Sequence, residues 1–207
     1  MHDLSVLVLL VLYFVVGFGL RAYIQYRRTG AYGVQGINAA FGSLEWIAGV
    51  LFVIGVVGAF AAPVLDLLGV LRHASCCVTP AVQTIGLLIY LVAAIASFGE
   101  QMAMGNSWRV GVPRDEITAL VTGGPFAFMR NPIYTTMLAS GVGIVLLVPN
   151  AAAAISFAAL FIGLEIHVRF VEEPHLLQIH GAAYSDYASR VGRFLPFVGR
   201  GLSRRLG

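Results

Sequence analysis

An all-α membrane protein with about five transmembrane helices is the expectation this chain raises, on three grounds. Of its 207 residues, 58% are hydrophobic and only 11% charged, and the mean hydropathy is +0.85. A soluble domain is usually about half apolar and about a quarter charged. The apolar residues come in long runs rather than alternations, which is the pattern of a multi-spanning membrane protein. The remaining charge is lopsided: all 13 basic residues are arginine, and they gather at one end of successive runs. Too little polar sequence remains for a separate soluble domain. Residues 1–207 therefore read as a single integral-membrane domain, with three N-terminal spans in 1–103 and a helical hairpin in 104–207.

The first run extends from about Leu4 to Tyr23, with Arg21, Arg27 and Arg28 at its far end. Only His2 and Asp3 precede it, so it lacks the basic start of a signal sequence and reads as a true span. The second covers about Leu44 to Ala62 and is expected to stop at Pro63, since proline removes a helical hydrogen bond. The third begins after Pro80 and continues to about Met104. Pro132 opens the fourth, a favourable first helical position because the missing N–H would have no partner there. It ends at "VPN", Val148 to Asn150, where Pro and Asn favour a tight turn. The fifth climbs from Ala151 to about Val171, making an antiparallel hairpin with the fourth. Pro174 then restarts the chain, Gly181 ends a short helix, and "YSDY", Tyr184 to Tyr187, opens a second amphipathic piece. Gly17 and Gly19, Gly55 and Ala59, and Gly141 and Gly143 would let helices approach closely.

Counting arginines orients the chain. With the N-terminus outside, Arg21, Arg27, Arg28, Arg109, Arg114, Arg130, Arg169, Arg190, Arg193, Arg200, Arg204 and Arg205 fall on the inner side, and only Arg72 is left outside. That is a strong positive-inside bias. It places the C-terminus in the cytoplasm of a multi-pass protein, expected in a bacterial inner membrane. It also brings the two large polar segments, 105–131 and 172–207, to one face, where a shared site can be built.

Several functions are excluded. The net charge of +3 is not clustered as a nucleic-acid patch would be, and without lysine there is no phosphate-binding lysine loop. No nucleophile elbow and no dinucleotide fingerprint occurs. Cys76 and Cys77 are adjacent, with no second pair to complete a zinc site. His167, His175 and His180 lack the i, i+4 spacing of a helical metal pair, so no metal is expected.

What remains is carboxylates, arginines, tyrosines and irregular backbone. Ionisable groups at the end of a span are functional candidates, because burial is costly unless they are partnered. Glu165 and Arg169 are four apart and meet on one helix face. Glu172 and Glu173 are expected to continue that face one turn on. The stripe reads either as a snorkelling ion-pair ladder or as a site. Phe194, Leu195, Pro196 and Phe197 read either as the wall of an apolar ligand pocket or as an interfacial anchor. The stretch "GGPFAFMRNPIY", residues 123 to 134, sets two glycines and two prolines against the start of an apolar run.

"LVTGGPFAFMRNPIYTTML", followed about forty residues later by "EEPHLLQIHGAAYSDYASRVGRFLPF", resembles the integral-membrane methyltransferases related to isoprenylcysteine carboxyl methyltransferase and to phospholipid methyltransferases. The resemblance covers about residues 104–198 in the family's order and spacing. It implies a five-span helical protein binding S-adenosyl-L-methionine in a cytoplasmic pocket. The loop before the fourth helix, the end of the fifth and a C-terminal lid would form that pocket. Leu120, Val121, Phe126, Asn131, Pro132, Tyr134 and Glu172 fall on cofactor-contacting positions. Gly124 would turn backbone toward the ligand, and Glu173 is the alternative acid. Arg169 lies near an arginine that handles the acceptor's polar end, so Arg169 and Glu172 are the candidates at the reacting centre. Asn131 stands where the isoprenylcysteine enzymes have His. It keeps a donor and an acceptor but cannot change charge near neutral pH.

The implied function is methyl transfer to a lipophilic small molecule or lipid entering from the bilayer, with carboxyl O-methylation favoured because nothing in the sequence looks like a dedicated base. Phospholipid or amine N-methylation, a membrane NADPH-dependent reductase of the steroid-reductase type, and a transporter using Glu45, Glu100 and Glu165 are the competing readings. Neither nucleic acid nor metal is an expected partner.

Overall fold

The computed structural model describes residues 3–33, 39–71, 78–110 and 119–201. Cys76, Cys77, Arg72, Arg114, Arg204 and Arg205 lie outside the described residues. What is described is helical, and four of its helices are long and apolar enough to cross a membrane: Asp3–Thr29, Leu44–Leu67, Pro80–Ala103 and Ala151–His180. A fifth apolar helix, Pro132–Leu147, has 16 residues, about 24 Å at the helical rise. It is shorter than the span expected there, because Val148 leaves helical geometry and Asn150 already begins the next helix.

The first span consists of α1 (Asp3–Phe14), a π-helical turn (Val15–Leu20) and α2 (Arg21–Thr29). Gly17 and Gly19 fall in the widened turn. They do not serve a tight helix contact: a side chain at Gly19 would meet nothing within 4 Å. Arg21 is wholly buried. Its guanidinium donates to the carbonyl oxygens of Gly105 (2.6 Å) and Gln101 (3.3 Å) and lies 4.5 Å from the Trp108 ring. Those carbonyls end the third span, where unpaired acceptors draw a cation.

Helix α3 (Leu44–Leu67) starts on Ser43, whose hydroxyl accepts from the Trp46 N–H at 3.1 Å. It does not stop at Pro63 but runs one turn beyond it. The proline is buried between helices, where the one forfeited backbone bond is tolerated. Helix α4 (Pro80–Ala103) is capped by Thr79 and has proline in its first turn, as expected. Helix α5 (Pro132–Leu147) lies along α4, and α6 (Ala151–His167) lies along α3. Gly143 seats Tyr90 and Gly55 seats Leu160, where an added Cβ would come within 2.8 Å of the neighbour's Cβ. The α5–α6 hairpin is thus pulled apart by its outer partners. A cavity of about 520 Å³ opens between its arms and α1, lined by Tyr13, Tyr90, Met137, Ser140, Ser156 and Phe157 among others. Asn150 closes the hairpin turn: its Oδ1 accepts from Ala153 N–H (3.0 Å) and its Nδ2 donates to the Ala62 carbonyl (2.9 Å).

Pro174 does not restart the chain either. Val168–Glu172 forms a π-helical turn, and α7 (Glu173–His180) follows without a break, its second residue being Pro174. The wider turn absorbs a residue whose nitrogen cannot donate. Gly181 then reverses the chain into α8 (Ala182–Arg190).

Candidate active site

The loop before α5 is short of regular structure and rich in tethers. Gly123 leads into a 3-10 turn, Gly124–Ala127, in which Gly124 takes the left-handed φ of 60°. Phe126 is buried there, and its carbonyl accepts from the Tyr187 hydroxyl at 2.6 Å. The chain then runs parallel to the segment after α8: Arg130 N–H donates to Gly192 O (2.8 Å) and Asn131 N–H to Arg193 O (3.0 Å). The Asn131 amide adds a bond to the same Arg193 carbonyl at 3.2 Å, and Thr135 Oγ1 donates to Phe194 O at 2.7 Å. Residues 192–199 curl into a hook, closed by Arg193 N–H on Val198 O (2.8 Å), with Phe197 at a positive φ of 68°. Gly192 sits inside it, and any Cβ there would overlap the Leu195 carbonyl oxygen.

A buried ion cluster locks loop, α7 and hook together. Glu173 Oε1 accepts from Arg130 Nη2 (2.6 Å) and Arg193 Nε (2.7 Å), and its Oε2 accepts from Arg193 Nη2 (2.9 Å). Arg130 also donates to the carbonyls of Val191 (2.6 Å), Ala188 (2.9 Å) and Gly199 (3.2 Å). The hydrogen bonds from Glu173 hold the Arg193 guanidinium above its ordinary pKa, against the opposing effect of burial. Burial pushes the Tyr187 phenol up to about 12, with Arg130 pulling the other way. Tyr184, also raised by burial, and Tyr187 pack with Ala188 against Leu120, Leu176, Leu177 and Val191.

Glu172 faces elsewhere. It does not continue the Glu165–Arg169 face, because the π turn adds a residue to the winding and separates the two acids from that stripe. Its carboxylate lies beside the Tyr134 hydroxyl, and its Oε2 is 4.0 Å from His167 Nε2. Oε2 is sealed from solvent and has no hydrogen-bond partner among the described residues, although 29% of the side chain's surface stays exposed. The His167 and Tyr134 rings meet edge to face, 6.2 Å between centroids. A buried carboxylate oxygen with nothing donating to it is a costly vacancy unless a ligand supplies the donor.

All of these groups except the loop's partners in the hook fall within one stretch that known proteins share. Residues 82–183 match the family model for phospholipid methyltransferases. This segment belongs to that family. The chain is similar to the protein-S-isoprenylcysteine O-methyltransferases B and A of Arabidopsis thaliana, at 30% and 29% identity over 119 residues. Each alignment covers 56% of this chain and 60% of the relative, so the chain spans less than two thirds of the length of these curated relatives.

In this phospholipid methyltransferase family member, the residues expected at the cofactor divide into groups. Tyr134 and Glu172 come together directly. Phe126, Asn131 and Pro132 are buried and shape the loop, Leu120 packs on α8, and half-buried Val121 and exposed Gly124 stand at its open side. Glu173 is fully engaged by two arginines. Arg169 pairs with Glu165 on the exposed side of the helix, apart from the others. Sequence reading missed Arg130, Arg193 and Tyr187 as site-builders, since arginines beside a membrane first suggest topology. It weighed His167 only as a metal ligand. The edge contact to Tyr134 depends on how two separate helices pack, which one sequence does not display.

Proposed function

We propose that the chain is an S-adenosyl-L-methionine-dependent methyltransferase acting on a lipophilic acceptor from the bilayer, with carboxyl O-methylation as the reaction. The observation that supports it best is the orphaned Glu172 Oε2 beside Tyr134, within the segment shared with methyltransferases. The cofactor is a sulfonium with an ammonium, a carboxylate, a ribose and an adenine. It asks for an anion, hydrogen-bond acceptors and aromatic or apolar walls, and the residues present fit that demand. When bound, it supplies an electrophilic methyl group.

The chain's own part is to bind and orient. Glu172 provides the anion, and Tyr134 an aromatic face and hydroxyl. Leu120, Val121 and Gly124 line the open side, while Phe126, Asn131 and Pro132 hold the loop's shape. Glu173 acts one step back, fixing Arg130 and Arg193 so that the hook stays closed. Arg169, at the exposed end of the helix, would meet an anionic acceptor head while the apolar tail remains in lipid. Alignment and dehydration of the nucleophile lower the barrier by up to roughly 7–11 kcal/mol where geometry is well set.

Ligand-dependent melting of the detergent-solubilised protein tests this. S-adenosylmethionine or its demethylated product should raise the melting temperature, and NADPH should not. Stabilisation by NADPH alone would replace the methyltransferase with a reductase. Labelled cofactor incubated with a total lipid extract would then show which acceptor class takes up the methyl group.

A further inference from the structure

His167 has no place in the proposed methyl transfer as derived so far, yet it stands at the centre of the site. It is the last residue of α6, only a fifth of its side-chain surface is exposed, and Tyr134 from α5 packs edge-on against its ring. Its Nε2 and Glu172 Oε2 lie 4.0 Å apart, too far for a hydrogen bond to each other. Oε2 accepts from nothing among the described residues. A neutral imidazole with its proton on Nδ1 presents a second acceptor at Nε2. Two acceptors at this separation can both lie about 2.9 Å from one nitrogen placed between them. Such a nitrogen needs two hydrogens to give and gains from a positive charge beside the carboxylate.

We propose that His167 and Glu172 form a two-point receptor for a primary ammonium group, a reading that rests on the proposed function. A ligand anion is disfavoured there. The nearest arginines are committed, Arg130 and Arg193 to Glu173 and Arg169 to Glu165. Arg109, whose charge reaches both Glu172 and His175, has an interaction of its own. The other ionisable groups around the pair are Tyr134 on α5, Glu173 and His175 on α7, and Glu45 at the start of α3, the helix that meets the 168–172 turn. The ammonium has two possible sources, the amino-acid end of the cofactor and the head group of an amine lipid.

Calorimetry on the full chain in detergent separates them. Three ligands are titrated: S-adenosylhomocysteine, the same thioether lacking its amino group, and phosphatidylethanolamine in mixed micelles. The proteins are the wild type, His167→Phe, which keeps bulk but no acceptor, and His167→Gln, which restores an acceptor oxygen. If the cofactor supplies the ammonium, His167→Phe binds S-adenosylhomocysteine about tenfold more weakly, and His167→Gln recovers much of that loss. The deaminated thioether then binds all three proteins alike. If an amine lipid supplies it, the same pattern appears with phosphatidylethanolamine and not with the thioethers. Equal affinity of wild type and His167→Phe for both amine-bearing ligands overturns the receptor. A wild type that binds neither thioether sinks the methyltransferase reading instead, and the lipid arm still judges the receptor.

Discussion

Glu173 accepts three hydrogen bonds from two arginines, while Glu172, one peptide away, has an oxygen that accepts none among the described residues. Replacing each by glutamine should therefore do opposite things. Glu173→Gln leaves two buried guanidiniums without their counter-charge, which costs roughly 3–5 kcal/mol and should appear as a large fall in melting temperature. Glu172→Gln should leave melting nearly unchanged and weaken S-adenosylhomocysteine by about an order of magnitude in calorimetry. A reversal of the two results would exchange their roles. Arg169→Gln should slow turnover or raise the acceptor's KM with cofactor affinity intact. If melting alone changes, Arg169 only pairs with Glu165. Tyr187 gives a pH test. Its folded pKa of about 12 lies above the ordinary value near 10. The stability it contributes is complete below about pH 10 and drains away as the pH climbs through 12. Tyr187→Phe should flatten the melting profile in that window and, through the lost bond to Phe126 O, lower stability by about 1 kcal/mol throughout.

Two prolines show how far helices could be read in advance. Pro80 and Pro132 open helices as their missing N–H predicts, but Pro63 and Pro174 lie inside continuous helical paths. The difference is in the surroundings: burial against neighbouring helices around Pro63 and a π turn before Pro174. Neither is written in the residues next to the proline. The π turn also explains why the acidic face was misjudged, since a residue added to the winding turns everything after it. Gly192, by contrast, is ordinary in sequence and strict in structure. Gly192→Ala should disrupt the hook and with it the cover over Arg130, and limited proteolysis would cut the 192–201 region faster in the variant. Unchanged protection would mean that the hook contributes little to the site. Asn150→Ala removes both a helix cap and the tie to Ala62, a loss of about 1–2 kcal/mol to be read in denaturant melts.

The number of apolar helices, their order and the meeting of the two polar segments were all legible, because span length and arginine placement follow from the solvent alone. The pairing of α5 with α4 and of α6 with α3 was not, since small residues permit close approach without naming the partner. The arginine bias still makes a claim about the membrane's two sides. A cysteine at exposed Ser189, in a background lacking Cys76 and Cys77, should resist membrane-impermeant thiol reagents in intact cells. Ready labelling would invert the orientation. The bridge between Met129 and Gly192, finally, imposes an order on synthesis. Arg130 is made 58 to 71 residues before the carbonyls that receive it, those of Ala188 through Gly201. Until those residues emerge from the ribosome, α5 must enter the bilayer beside a guanidinium that only water and lipid head groups can satisfy. A nascent chain halted before Gly192 would carry every apolar helix and no closed pocket, so competence to bind arrives late and all at once.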